Sequence, residues 1–131
     1  STNFEAEVMR LTNGEGVNVA YDSVGNDTMA RTITSTKRRG TIIAFGQSSG
    51  PYTDFKITDL SKGSYYLSRP TLFHFVGDRS WLDTASVKLF KAVTDGTINV
   101  SINQRFALED VAKAHEALTG RATTGCTILT V

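Results

Sequence analysis

Cysteine is nearly absent: one residue in 131, Cys126. An internal disulfide and a cysteine-rich zinc site are therefore excluded. A reducing, cytoplasmic setting is the expectation. Charge of one sign is lacking too. Fourteen Lys and Arg stand against thirteen Asp and Glu, a net charge of +1. Composition thus argues for neither nucleic acid nor an acidic membrane as partner. Long apolar runs are missing; stretches such as Ile42-Ile43-Ala44-Phe45 are far too short to span a bilayer. The start, Ser1-Thr2-Asn3-Phe4, has neither a basic and apolar leader nor a Met. Either Met was removed or the chain was cut from something longer. There is no internal repeat, low-complexity tract or linker. What remains is an ordinary balance, 40% hydrophobic and 21% charged, enough for one core.

The order of elements can be read from periodicity and stop signals. Thr2 and Glu5 have the T-x-x-E spacing of a capping box. Phe4, Val8 and Leu11 recur at helical spacing, and Asn13-Gly14 stops the helix. Val17 to Tyr21 reads as a buried strand ending in Asp22-Ser23-Val24-Gly25. Asn26 or Asp27 caps a second helix running to about Thr36, with Met29, Ala30 and Ile33 on its apolar side. Gly40 to Phe45 is the next strand, followed by the polar turn Gly46-Gln47-Ser48-Ser49-Gly50-Pro51. This alternation predicts an α/β fold: a parallel sheet covered by helices, its two strands side by side. Ser64 to Ser68 is a third strand, ended by Arg69-Pro70.

Farther along, Asp78 caps the longest helix, which reaches about Asp95-Gly96. Leu82, Ala85, Leu89, Phe90 and Val93 form its apolar stripe. A short strand around Gln104 to Ala107 precedes a helix from about Glu109 to Thr119, with Val111, Ala114, His115 and Leu118 on one face. Gly125 to Val131 is a closing strand. Three parallel strands make a small sheet whose first strand lacks an outer neighbour. The closing strands have no evident place in it and look made to pair with something else.

Several motifs have two readings. Lys37-Arg38-Arg39 suits a helix C-terminus just before a capping Gly better than it suits a nucleic-acid patch. Gly14-Glu15-Gly16 begins like a dinucleotide fingerprint. It follows a helix and precedes a strand, though, and Val19 stands where Gly or Ala is needed, so it reads as a helix stop. Gly46-Gln47-Ser48-Ser49-Gly50 matches the G-x-S-x-G nucleophile elbow, with Asp95 and His115 downstream. An elbow must run straight into a helix, and Pro51-Tyr52-Thr53-Asp54 carries no helical stripe. His115, on an apolar face, reads as a core histidine. His74, His115 and Cys126 have no metal-ligand spacing.

The same Gly46–Gly50 turn has another use. It ends a parallel strand, beside the ends at Asp22-Ser23-Val24-Gly25 and Ser68-Arg69-Pro70. α/β sheets bind ligands at such carboxyl ends. Ser48 and Ser49 can donate to phosphate or carbonyl oxygens. Three strand ends thus suggest a nucleotide-like crevice; ordinary polar turns are the alternative.

Five segments carry a resemblance: Tyr21-Asp22-Ser23-Val24-Gly25, Phe45 to Gly50, Ser68-Arg69-Pro70-Thr71-Leu72, Ala114-His115-Glu116 and Arg121-Ala122-Thr123-Thr124-Gly125. In order and spacing they resemble the C-terminal portion of bacterial NADPH:quinone oxidoreductases. These are zeta-crystallin-like members of the zinc-independent branch of the medium-chain dehydrogenase/reductase superfamily. The resemblance covers essentially the whole chain but less than half of a family member. It implies that residues 1–100 are the C-terminal half of a Rossmann-type, doubly wound nucleotide-binding domain. Residues 101–131 would return to a GroES-like catalytic domain that lies outside this chain.

By the same resemblance, Ser23 lies at the cofactor crevice. Phe45, Gly46, Gln47 and Ser48 line the nicotinamide and its ribose. Leu67, Ser68 and Arg69 lie near the carboxamide. Arg121 lies near the adenosine 2′-phosphate, which suits a bidentate guanidinium. Cys126 stands where many relatives carry Lys. The implied cofactor is NADPH, and the implied chemistry is hydride transfer to a quinone-like small molecule. No residue here is implied as acid, base or metal ligand. The glycine fingerprint and most phosphate contacts lie upstream, so the chain alone is expected to be inactive. Homodimer pairing through Tyr65 to Ser68 is implied as well. The alternatives are a truncated nucleotide-binding or partner-binding module and, more remotely, a serine hydrolase using Ser48.

Overall fold

The computed structural model describes residues 3–131. The chain divides into two compact units, one ending at His74 and one spanning Phe75–Val131.

The first unit opens with helix α1, Phe4–Leu11. Thr2 of the expected capping box lies outside the described residues; the cap is Asn3, whose side chain accepts from the Ala6 N–H. Thr12 closes the helix, and Asn13 and Gly14 turn the chain at positive φ. Strand β1 is Val17–Asp22, helix α2 is Met29–Thr34 and strand β2 is Thr36–Ala44. A 3-10 turn, Ile57–Lys62, precedes the short strand β3, Tyr66–Ser68. The three strands form one parallel sheet in the order β1-β2-β3, as expected.

Three expectations need correction in this unit. Helix α2 is shorter than expected: Thr28, not Asn26 or Asp27, takes the N-cap position, with no side-chain cap, and the helix ends at Thr34. Lys37-Arg38-Arg39 therefore does not end a helix; it lies inside β2. Val17 pairs with Thr36 but Val19 pairs with Thr41, so Lys37 to Gly40 bulge out opposite Asn18 alone. Arg39 takes φ 62° there, and its N–H donates to Gly63 O at 2.7 Å. The stop signal at Lys37–Gly40 is a bulge signal. β1 is also not buried: as an edge strand it leaves Tyr21 73% exposed.

The core of this unit is small. Ile42 is fully buried, and Met29, Ile33 and Ala44 join it, with Tyr52, Phe55, Tyr65 and Leu67 packed around them. The α2 face thus covers the middle of β2.

A four-residue helical turn, Phe73–Val76 (α3), leads to α4, Arg79–Thr94. Asp78 caps α4 as expected, accepting from the Ser80 and Trp81 N–H groups. Strand β4 is Ile102–Ala107; after a 3-10 turn, Leu108–Asp110, come α5, Val111–Thr119, and strand β5, Cys126–Thr130. The closing strands do not wait unpaired: β4 and β5 pair with each other, in parallel, across the α5 crossover. The expected apolar stripe of α4 is largely exposed, with Phe90 at 68%. On α5 only Ala114 is buried; His115 is exposed and is not a core histidine. Among the described residues, most of the apolar side chains on these two helices are exposed. Among the described residues no helix is long and apolar enough to cross a membrane.

Candidate functional site

Register brings three strand ends to one edge of the first unit. Asp22 is opposite Ala44, and Ile43 is opposite Ser68. Two loops leave this edge: residues 23–28, from β1 into α2, and residues 45–56, from β2.

The loops are laced together by backbone hydrogen bonds. Phe45 N–H donates to Asp22 O at 2.9 Å, Ser49 N–H to Val24 O at 2.8 Å and Asn26 N–H to Gly50 O at 3.0 Å. The Ser49 hydroxyl adds a strap: it donates to Val24 O at 2.8 Å and accepts from Asp27 N–H at 3.0 Å. So close an approach needs glycine on both sides. A Cβ on Gly46 would stand 2.5 Å from Ser23 O, and one on Gly25, at φ +89°, would stand 2.5 Å from Gly50 O.

Asp22 organises the first loop. Its Oδ1 accepts from the Val24 and Gly25 N–H groups, both at 2.9 Å. Its Oδ2 accepts from the Thr28 hydroxyl at 2.8 Å and the Thr32 hydroxyl at 2.7 Å. Burial opposes the negative charge. The donors together outweigh it, led by Gly25 and followed by Thr32, Thr28 and Val24, and hold the carboxyl below its ordinary range.

Beside these loops lies a cavity of about 270 Å³. Met29, Ala44, Pro51, Tyr52, Phe55 and Leu67 give it apolar walls; Gly25, Gly46, Gln47 and Arg69 complete it. That is just below the usual range for a whole drug-sized ligand. It suits a flat ring with one polar substituent, with Gln47 and Arg69 as the polar side chains in its lining, and not a whole dinucleotide.

Of the residues singled out from sequence, Gly46, Gln47, Leu67 and Arg69 line this cavity together. Ser23 lines a second hollow of about 210 Å³, with Phe4, Tyr21, Asp22, Val24, Thr28 and Thr32. Phe45 is exposed and meets the Tyr21 ring edge-on, with centroids 6.5 Å apart. Ser48 and Ser68 are exposed at the same strand ends. Arg121 lies in the second unit, just after α5. It takes φ 55° where Gly would be less strained, and the Ala122 N–H following it donates to Ala117 O at 3.0 Å, closing the helix.

Sequence reading missed Met29, Ala44, Pro51, Tyr52 and Phe55 as cavity walls. The available signal was the aromatic pair just past Gly50-Pro51, in a stretch without periodicity. Ser49 donates inward to Val24 O rather than facing a ligand. No helix follows Ser48: residues 51–56 are irregular and the next element is the 3-10 turn at Ile57. The geometry of a nucleophile elbow is absent.

The zinc-binding dehydrogenase family model matches residues 1–129. The chain belongs to this family. Among curated members, quinone oxidoreductase of Salmonella typhimurium is 42% identical over 125 residues, which is 93% of this chain and 38% of that protein. The 2-haloacrylate reductase of a Burkholderia species is 39% identical over 98% of this chain and 40% of its own length. Among solved structures, Escherichia coli quinone oxidoreductase complexed with NADPH superposes with a TM-score of 0.88 at 36% identity, covering all of this chain and 41% of that one. The sheet is thus part of a Rossmann-type fold, and the chain spans about two fifths of the relatives it matches. The zinc of the family's name finds no fitting donor set here. Among the described residues no three His, Cys, Asp or Glu side chains gather, and Cys126 is exposed.

Proposed function

We propose that this chain is the C-terminal part of an NADPH-dependent oxidoreductase that reduces quinone-like small molecules, and that alone it is an inactive half-site. The observation carrying this reading is the likeness over the whole chain to a quinone oxidoreductase complexed with NADPH. The cavity at the strand ends supports it, because its size and mixed lining suit the nicotinamide end of such a cofactor.

When bound, the cofactor supplies the hydride. The chain's residues bind and orient. Gly46 lets the backbone come close, Gln47 offers an amide to the carboxamide, and Leu67 with its neighbours keeps water from one ring face. Ser23, Phe45, Ser48, Ser68 and Arg69 complete the crevice. Arg121 meets the 2′-phosphate, for which a bidentate guanidinium is suited. None of these residues is asked to act as an acid or base. Residues 1–100 belong to the nucleotide-binding domain and 101–131 to a catalytic domain. A homodimer forms through the β3 edge, in the cytoplasm.

Titration with millimolar NADPH, followed by amide NMR, tests this. Shifts centred on Gly46, Gln47 and Leu67 are expected, with a Kd weaker than about 0.1 mM because most phosphate contacts lie elsewhere. Scattered shifts, or none, sink the reading. Micromolar binding would favour a self-sufficient binding module, and steady oxidation of NADPH by quinone would overturn the predicted inactivity.

A further inference from the structure

The end of β1 holds a buried carboxylate that the proposed chemistry does not use. Asp22 is 3% exposed, and among the described residues no cation pairs with it. A buried charge costs desolvation free energy, and an apolar residue here would avoid that cost. An apolar side chain could not, however, draw together the Val24 and Gly25 amides and the Thr28 and Thr32 hydroxyls. Gly25 is also a wall of the cavity. Val24 O and Asp27 N–H, on either side of it, are the two groups gripped by the Ser49 hydroxyl of the opposite loop. The carboxylate, the 23–28 turn and the 45–50 loop form one connected network that ends at the cavity.

We propose that Asp22 is a positioning residue: its carboxylate fixes the 23–28 turn and, through the Ser49 strap, the 45–50 loop, in the shape that forms the cavity. The link to function rests on the cavity being the nicotinamide site.

Amide exchange in this chain tests the proposal through Asp22→Ala, Asp22→Asn, Thr32→Val and Ser49→Ala. Thr32→Val and Ser49→Ala each remove one hydroxyl at nearly constant volume. Both should speed exchange at positions 49 and 50 about tenfold, with β1–β2 ladder amides changed less than about twofold. Asp22→Asn, which keeps an acceptor for Val24 and Gly25, should retain more loop protection than Asp22→Ala. Unchanged loop exchange in Thr32→Val, or equal loss in loop and ladder, would overturn positioning in favour of a merely structural carboxylate. The cofactor link has its own readout: the NADPH-induced shifts at Gln47 and Leu67 should weaken in Thr32→Val. If they persist while the loop loosens, positioning for the cofactor is wrong. If wild type shows no such shifts while the exchange results hold, the cofactor reading fails and the network stands.

Discussion

The two units use apolar residues in opposite ways. The first buries Met29, Ile33, Ile42 and Ala44 against one another, and its turns are held by a carboxylate and a serine strap. The second has similar apolar content on its helices, yet Ala114 is its one buried hydrophobic among the described residues. Both are built from parallel strands joined through helices, so topology does not separate them. What differs is whether a second layer covers the apolar face. A sheet with a helix laid over it can close a core; a two-stranded ribbon with its helices uncovered leaves most of its apolar surface in water.

The comparison can be tested with probes placed by the sequence itself. All four tyrosines lie in the first unit, and Trp81, the sole tryptophan, lies in the second. The largest effect is expected from Ile42→Ala, which empties the centre of the only packed core among the described residues. It should cost about 3 kcal/mol. In urea, the tyrosine transition should move and the Trp81 transition should not. Equal movement of both would mean that the units unfold as one.

Gly46→Ala should come next, at about 2 kcal/mol, because its Cβ meets the Ser23 backbone rather than a side chain that can swing away. Its second signature is loss of NADPH-induced shifts at Gln47.

Acid should act on the first unit through Asp22. Its folded pKa is lowered, so its stabilising contribution is present above the unfolded value near about 3.9 and is lost as pH falls through the folded one. The charge is held by neutral amides and hydroxyls. Urea unfolding followed by tyrosine emission, from neutral pH down to about 3, should show a larger loss in wild type than in Asp22→Asn, where the lowered carboxyls of Glu7, Glu15 and Asp59 still contribute.

In the second unit, Asp78→Ala removes the acceptor for two N–H groups at the start of α4. Helicity by circular dichroism should fall slightly while the tyrosine transition stays put. The smallest effect is expected from Phe90→Ser, within about 0.5 kcal/mol, since the ring is mostly in solvent already. A large loss there would show that Phe90 packs against something in solution, and the contrast between the units would fail.

How far the sequence could be read follows the same division. The α1 stop at Asn13-Gly14, the Asp78 cap and the order of the strands and longer helices are written in neighbours a few residues apart, and these were legible. Lys37-Arg38-Arg39 was misread because charge and glycine look alike at a helix end and at a bulge; only the pairing of Val19 with Thr41 separates the two. His115 was misread because helical spacing shows which residues share a face, not whether anything covers it. Most of the cavity's apolar wall escaped notice; Pro51, Tyr52 and Phe55 sit in a segment with no period to read.

Capping residues, turn glycines and apolar spacing were enough to specify a parallel α/β chain whose strand ends meet at one edge, because those signals act through bonds between near neighbours. Pairing of β4 with β5, the bulge opposite Asn18 and the Ser49 strap across to Val24 and Asp27 were settled by folding. Each joins groups whose meeting depends on register and on which faces find a covering layer, and no local pattern of residues encodes either.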